Sequence, residues 1–368
     1  ETKQEPILNT TYELCKAAIA SNSLVQENYV KAIYEPFTAQ EISAKIAALL
    51  TPADVHAQVD IIYQTLEGLH HACPENNGDW YLFCPNDILK AGIKPLQETY
   101  GQEYEDNYNR AVALGLGKKV RAQEVWNKII ESQVETGVPY LCSKDNANKK
   151  TNHQNIGVIK QSNLCSEIVL PTDEERTAVC CLSSLNLEYY DDWKDNKLFL
   201  RDVAEMLDNV LQYFIVNAPD SISRARYSAS RERSIGIGAL GFHAYLQKKN
   251  IPWESSLAVS ANKKIFKHIR ESLDVANKQL GRERGQAPDC FGSGNRFAHL
   301  MAIAPNASSS IIMGNTSPSV EPYRANAYRQ DTLSGSFLNK NKFLDKIIKE
   351  KVDEQSVDYQ DIWSSIIA

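Results

Sequence analysis

The sequence predicts an α/β fold, and three observations carry that reading. Short strand-like stretches stand at 80–87 and 178–187, amphipathic helical stretches at 121–136, 198–216 and 255–280, and a glycine-spaced apolar run at 234–246. The chain has 368 residues, 43% of them hydrophobic, enough for a large core in one large domain or two to three ordinary ones.

The first seventy or so residues read as helices. Thr38-Ala39-Gln40-Glu41 has the form of a capping box ahead of an apolar run, and Thr51-Pro52 restarts a helical pattern toward His70. CPENNGD at 73–79 is a break, and WYLFCPND after it predicts a short strand entering a turn. RAQEVWNKIIESQVET at 121–136 predicts a helix that stops at Gly137-Val138-Pro139. The polar run 144–155 predicts a loop. The apolar residues flanking Asn163–Glu167 predict a strand, Pro171 with TDEER a turn, and AVCCLSSLNL a second strand. Helix returns at 198–216 with acidic residues near its start, which suits the helix dipole. Gly236, Gly238 and Gly241 are spaced like a dinucleotide loop but lack a convincing strand–turn–helix unit and downstream acid, so they predict close packing. A long helix follows over 255–280, then a loop-rich stretch, a polar loop and apolar strand within SSSIIMGNTSPSVEP, and a basic helix around NKFLDKIIKEK.

A net charge of −6 argues against a general nucleic-acid-binding surface while leaving room for a local anion pocket. No apolar run is long enough to cross a bilayer, and the first ten residues lack the basic-then-apolar plan of a secretory signal, so the expected location is cytoplasmic. In that compartment the eight widely spaced cysteines stay reduced unless they are catalytic. Cys165, Cys180 and Cys181 lack common zinc spacing and no histidine clusters near them in sequence, so no metal is expected in this chain.

The stretch QSNLCSE at 161–167 holds the densest chemistry. If extended, period-two alternation sends Asn163, Cys165 and Glu167 to one side, joining an amide, an oxidisable thiol and a base. The competing reading is a polar strand edge with its cysteine tucked into the core. Burying a carboxylate beside the thiol counts against it unless the bonds are satisfied. Cys180 and Cys181 are adjacent and so face opposite sides of a strand, which disfavours a disulfide between them. Spacing alone does not select which one faces a site. Pro-Asn-Ala-Ser-Ser-Ser at 305–310 suits either an anion loop, with backbone N–H groups and hydroxyls receiving phosphate, or a surface turn.

With these motifs in view, the sequence resembles the large catalytic subunit of aerobic (class I) ribonucleotide reductases, in a phage-like form. SNLCSEI at 162–168, AVCCLSSLNL at 178–187, RSIGIGALGF at 233–242 and APNASSSIIMGNTSPSVEPY at 304–323 carry the match, supported by WYLFCPND and KDNANKKTNHQNIG. It runs from about residue 80 through the C-terminal region. The resemblance implies a portion of a ten-stranded α/β barrel over 76–368 with a central finger loop, preceded by a helical region over 1–75. It implies that Cys165 becomes a transient thiyl radical that removes the ribose 3′ hydrogen. Glu167 then assists at the 3′ hydroxyl, Asn163 holds substrate and intermediates, and Cys180 belongs to the pair that supplies reducing equivalents. Ser162, Asn306, Ala307, Ser308 and Ser309 contact substrate, the last four at its diphosphate. Cys181 and Cys84 receive no redox role. Such chemistry needs an enclosed thiol close to the ribose.

The family's ATP-cone, the upstream half of its barrel with the partner cysteine, its specificity loops, its paired-tyrosine relay and its cysteine tail are not recognisable here. The expectation is therefore a catalytic segment that works with a complementary portion of the large subunit, a small subunit bearing the radical cofactor (a dimetal centre is the candidate), and thioredoxin or glutaredoxin as reductant. A nucleotide-binding or assembly protein without chemistry is the alternative.

Overall fold

The computed structural model describes residues 78–332 and 335–367, so the helices expected before residue 75 lie outside the described residues. The described chain divides into two units, one with residues 78–93 and 107–140, the other with 94–106 and 141–367.

In the first unit, β1 (Asp79–Leu82) pairs antiparallel with β2 (Lys118–Arg121), Asp79 facing Arg121. The expected turn after β1 opens α1 (Pro85–Lys90). Cys84 is the extended cap residue, and Pro85 takes the first helical position, where a missing N–H leaves no bond unmade. Ile88, Ile93 and Ala111 form a small core there, with Phe83 and Leu116 against it. Ala111 lies on α2 (Gly101–Ala113), a helix not anticipated from the sequence. The helix expected at 121–136 is α3 (Ala122–Thr136). It ends as predicted, because Gly137 adopts φ +77° and donates its N–H to the Gln133 carbonyl at 2.9 Å.

The second unit begins with a correction. Residues 144–150, expected as loop, form α4 (Lys144–Lys150). A tertiary clamp explains it: buried Asn148 accepts the Ile159 N–H at 2.7 Å and donates to the Ile159 carbonyl at 2.9 Å. The strand expected around 161–167 is absent, and that segment is a turn whose bonds are described below. The strand in AVCCLSSLNL is real: β3 (Leu182–Asn186) pairs in parallel with β4 (Gly236–Leu240), Leu182 beside Gly236 and Asn186 beside Leu240. Parallel neighbours need a long crossover, here α5 (Tyr190–Trp193), α6 (Phe199–Asn217) and α7 (Ser223–Glu232).

All five residues of β4 are buried, as parallel strands covered on both faces require. Ile237 and Ala239 belong to the main core with Leu207 and Leu211 of α6 and Ile269 and Leu273 of α9 (Ser256–Arg284). The other face explains the glycines. A Cβ on Gly238 would sit 2.4 Å from the Ala302 carbonyl oxygen, so this position carries no side chain because another backbone segment lies on it. Between β4 and α9 lies α8 (Phe242–Lys248). Asp208 of α6, fully buried, accepts from Arg233 at 2.7 Å and from Arg284 and Arg296 at 3.0 Å each, tying α6 to α9 and to the segments after α7 and α9.

Residues 307–312, expected as polar loop running into strand, form α10 (Ala307–Ile312), with Asn306 in the left-handed region at φ +52° before it. An antiparallel hairpin, β5 (Ala327–Thr332) and β6 (Gly335–Lys340), precedes α11 (Lys342–Lys349) and α12 (Val357–Ile367). Ile348, Tyr359 and Trp363 bury a satellite core there. The expected basic helix is α11, started by Asn341, whose side chain accepts the N–H groups of Phe343 and Leu344. No helix among the described residues is long and apolar enough to cross a membrane.

Candidate active site

The loop at 161–168 is built by one residue. Asn163 receives the Ser166 N–H on its carbonyl at 3.2 Å, gives its own N–H to the Ile168 carbonyl at 3.3 Å, and receives the Ile168 N–H on Oδ1 at 3.0 Å. Those bonds close a tight turn, with Ser166 at φ +66°, which replaces the alternation of a strand. The amide and carboxylate still meet: Asn163 Nδ2 donates to Glu167 Oε2 at 2.6 Å, a short charge-assisted bond. Cys165 stands exposed at the tip, beside Leu164, which is 86% exposed. Ser162 sits at the loop's entry and donates to the Asn163 carbonyl at 3.1 Å. Cys142, a thiol the sequence gave no reason to select, lies 3.6 Å from Ser162 Oγ and 3.8 Å from Ser166 Oγ.

The adjacent cysteines separate as alternation requires. Cys181 is buried in the main core, its sulfur 3.7 Å from the Leu207 carbonyl. Burial, and then the charge of Asp208, push its thiol pKa up. Cys180 is exposed. Its thiol is also pushed up, by partial burial first and then by the negative charge of Glu167, so the two side chains lie within electrostatic reach of one another.

Glu167 and Cys181 line a cavity of about 380 Å³, together with Leu182, Ser234, Gly236 and His299. This space runs beside the amino ends of β3 and β4. The predicted anion loop belongs to the other end of β4: Asn306 Nδ2 donates to the Ala239 carbonyl at 3.0 Å and to the Ala304 carbonyl at 2.9 Å. Ala307, Ser308 and Ser309 are exposed. The first intrahelical N–H is that of Ser310, which donates to the Asn306 carbonyl at 3.0 Å, so the three N–H groups before it are left for another acceptor. The structure thus brings Ser162, Asn163, Cys165, Glu167 and Cys180 into one neighbourhood, and 306–309 do not line the cavity.

Sequence reasoning missed His299, which lines that cavity, and the polar side chains His153 and Glu232 behind it. They are far apart in the chain and match no spacing rule, so no local signal could have joined them. No group of three or more histidine, cysteine or carboxylate side chains placed to hold a metal occurs among the described residues.

The family description "Ribonucleotide reductase, barrel domain" matches residues 67–293 and 289–366. The chain is 56% identical over 250 residues to the ribonucleoside-diphosphate reductase large subunit of Invertebrate iridescent virus 3, a match covering 67% of this chain and 40% of that protein. It is 61% identical over 204 residues to the same subunit of Invertebrate iridescent virus 6, covering 55% of this chain and 21% of that protein. Among solved structures, the class Id ribonucleotide reductase alpha subunit of Actinobacillus ureae superposes with a TM-score of 0.60 at 38% identity, over 67% of this chain and 46% of that one. The chain therefore spans less than half the length of these relatives.

Proposed function

This chain belongs to the ribonucleotide reductase barrel-domain family, and from that premise we propose that it supplies the substrate-facing part of a ribonucleoside-diphosphate reductase. The observation that carries the proposal is the loop itself: one asparagine holds a carboxylate at 2.6 Å and leaves a thiol at the tip between them in sequence. In this reading Cys165 gives up its S–H hydrogen atom, and the resulting thiyl radical takes the 3′ hydrogen of the ribose. Glu167 accepts the 3′ hydroxyl proton, and Asn163, already bonded to Glu167, holds the substrate oxygens. Cys180 and a second cysteine provide two electrons and two hydrogens as the 2′ hydroxyl leaves as water, becoming a disulfide. The hydrogen on Cys165 then returns to the 3′ carbon.

Ser162 and the N–H groups of Ala307, Ser308 and Ser309 receive the substrate, the latter three at its diphosphate. Their place at the carboxyl end of a parallel strand, fixed by Asn306, suits an anionic ligand. The exposure of Cys165 and Cys180 supports a requirement for further polypeptide. A thiyl radical must be shielded from competing reactants, and the complementary portion of the large subunit supplies that cover along with the partner cysteine. A small subunit provides the radical from its own cofactor, and thioredoxin or glutaredoxin reduces the disulfide.

The test is reconstitution. Mixed with the remaining large-subunit portion, a radical-generating subunit, a dithiol reductant and a ribonucleoside diphosphate, the chain is expected to yield the deoxynucleotide. Cys165→Ser should abolish product while nucleotide binding survives; turnover that persists in that variant rejects the assigned role.

A further inference from the structure

Behind the wall of the cavity lies a polar cluster that the reductase reading does not use. His153, in the turn that follows α4, has no exposed surface, and its Nδ1 is 3.0 Å from Nε2 of His299. Its other nitrogen, Nε2, is buried without a hydrogen bond and lies 3.3 Å from Oε2 of Glu232. Glu232 ends α7 and is itself 1% exposed; its Oε1 accepts from Ser228 Oγ at 3.0 Å and its Oε2 from Ser234 Oγ at 3.1 Å. Ser234 and His299 both line the cavity that Glu167 lines. A line of polar atoms therefore leaves the cavity at Ser234, passes through Glu232 and His153, and returns to it at His299.

A structural tie would not need these residue types, since a buried carboxylate is expensive and glutamine can make comparable bonds. Glutamate and histidine differ from glutamine in that each can hold a proton in more than one place. Burial, opposed by the Ser228 and Ser234 hydroxyls, pushes the Glu232 carboxyl up to about 7. Burial pushes His153 down to about 4, helped by its histidine neighbour, and His299 down to about 4, helped by Arg270. Near neutrality the carboxyl is then the group that exchanges a proton, and the rings stay neutral and free to change tautomer. The other charged groups that act on the cluster are Arg176 and Asp289, paired at 2.7 Å, with Arg231 on the same carboxylate at 2.9 Å; the neighbouring Cys290 thiol, raised to about 11 by burial and by Asp289 and Glu232, stays neutral.

We infer that Glu232, His153 and His299 form a proton relay that exchanges one proton with the cavity beside Glu167. In the loaded form the Glu232 carboxyl donates to Nε2 of His153, His153 carries its proton on Nδ1 and donates it to Nε2 of His299, and His299 carries its proton on Nδ1. Discharge moves the carboxyl proton to His153 Nε2 and the His153 Nδ1 proton to His299 Nε2, and releases the His299 Nδ1 proton. One proton leaves, both rings end neutral as Nε2–H tautomers, and no electrons move. His153 Nε2 already lies within hydrogen-bonding distance of the carboxyl at 3.3 Å, and the transfer needs the ring to turn into line with it. The purpose of the relay, returning to the site the proton that Glu167 takes and gives back, rests on the reductase reading; the relay itself does not.

The test uses the isolated full chain, labelled with nitrogen-15 at histidine, and reads the tautomer of each ring across pH 5.5–8.5. Both rings are expected to switch from Nδ1–H to Nε2–H in a single transition with a shared midpoint near that of Glu232. Glu232→Gln, shown folded by circular dichroism, should hold each ring in one tautomer throughout. Rings that keep their tautomers in the unsubstituted chain, or that switch independently, overturn the relay, and that titration decides the matter even if Glu232→Gln does not fold. In the reconstituted reductase, Glu232→Gln should lower kcat several-fold and alter its pH profile without raising KM. A coupled tautomer switch with an unchanged profile would reject the link to Glu167 and leave the relay standing.

Discussion

The loop around Cys165 and the cluster around Glu232 border the same cavity, yet they are built in contrary ways. The loop puts its thiol and an apolar neighbour in water and relies on one asparagine to hold its shape. The cluster excludes water from a carboxyl and a histidine and places them by packing α4, α7 and the segment after α9 around them. Exposed groups remain accessible to another polypeptide that can complete the site. Buried ones have their proton affinities reset before any ligand arrives. Reactivity and stability should therefore separate between the two regions.

Substitution at the tip should give the largest functional effect with the smallest structural one. Cys165→Ser is expected to remove all turnover of the assembled enzyme while changing unfolding free energy by no more than about 0.5 kcal/mol, as for other exposed positions, measured by urea denaturation. A large loss of stability would show that the loop is part of the core. Glu167→Gln should come next, with a fall in kcat of about 10²–10⁴-fold as the base is lost, checked by steady-state kinetics of the reconstituted enzyme. A kcat that stays within twofold would remove Glu167 from the proton step.

Buried charges should show the reverse pattern. Asp208→Asn leaves Arg233, Arg284 and Arg296 without their shared carboxylate and is expected to cost about 3–5 kcal/mol, read as a shift in the urea midpoint. The Glu232 effect is smaller and depends on pH. Its folded pKa lies above the unfolded one, so its contribution to stability is fully present below about 4.5 and is lost as pH rises through about 7. Relative to the unsubstituted protein, Glu232→Gln should therefore gain about 2–3 kcal/mol between pH 5 and pH 8. The two histidines, lowered in the fold, act in the other sense and lose stability as pH falls from about 6.5 toward 4, which places their effect at the acid end of the same curve. A difference between the two proteins that does not change with pH would place Glu232 in an ordinary, unshifted environment.

Much of this architecture is legible in the chain. The helices α3, α6, α9 and α11 carry long periodic patterns, and the stop at Gly137 depends on a conformation that glycine reaches at no steric cost. Strand β3 and the tight packing at Gly236 and Gly238 also follow from local composition. Two segments misled for an instructive reason. Residues 144–150 are polar enough for a loop, but Asn148 is anchored to the backbone of Ile159, and residues 161–167 alternate like a strand, but the Asn163 side chain bonds the main chain across a turn. Short segments of this kind take the conformation that satisfies their backbone groups in context.

By itself, the sequence determined that an amide, a thiol and a carboxylate stand two residues apart at Asn163, Cys165 and Glu167, that two cysteines are adjacent at 180 and 181, and where the long helices run, because these depend on side-chain identity and local period. Tertiary structure alone decided that Cys181 is the core thiol and Cys180 the open one, since alternation gives opposite faces without saying which is inward. It also decided that His153 meets His299 across 146 positions of sequence and, on its other side, Glu232. Such contacts come from packing distant segments around one core, and it is the loss of water there that gives those three side chains their altered proton affinities.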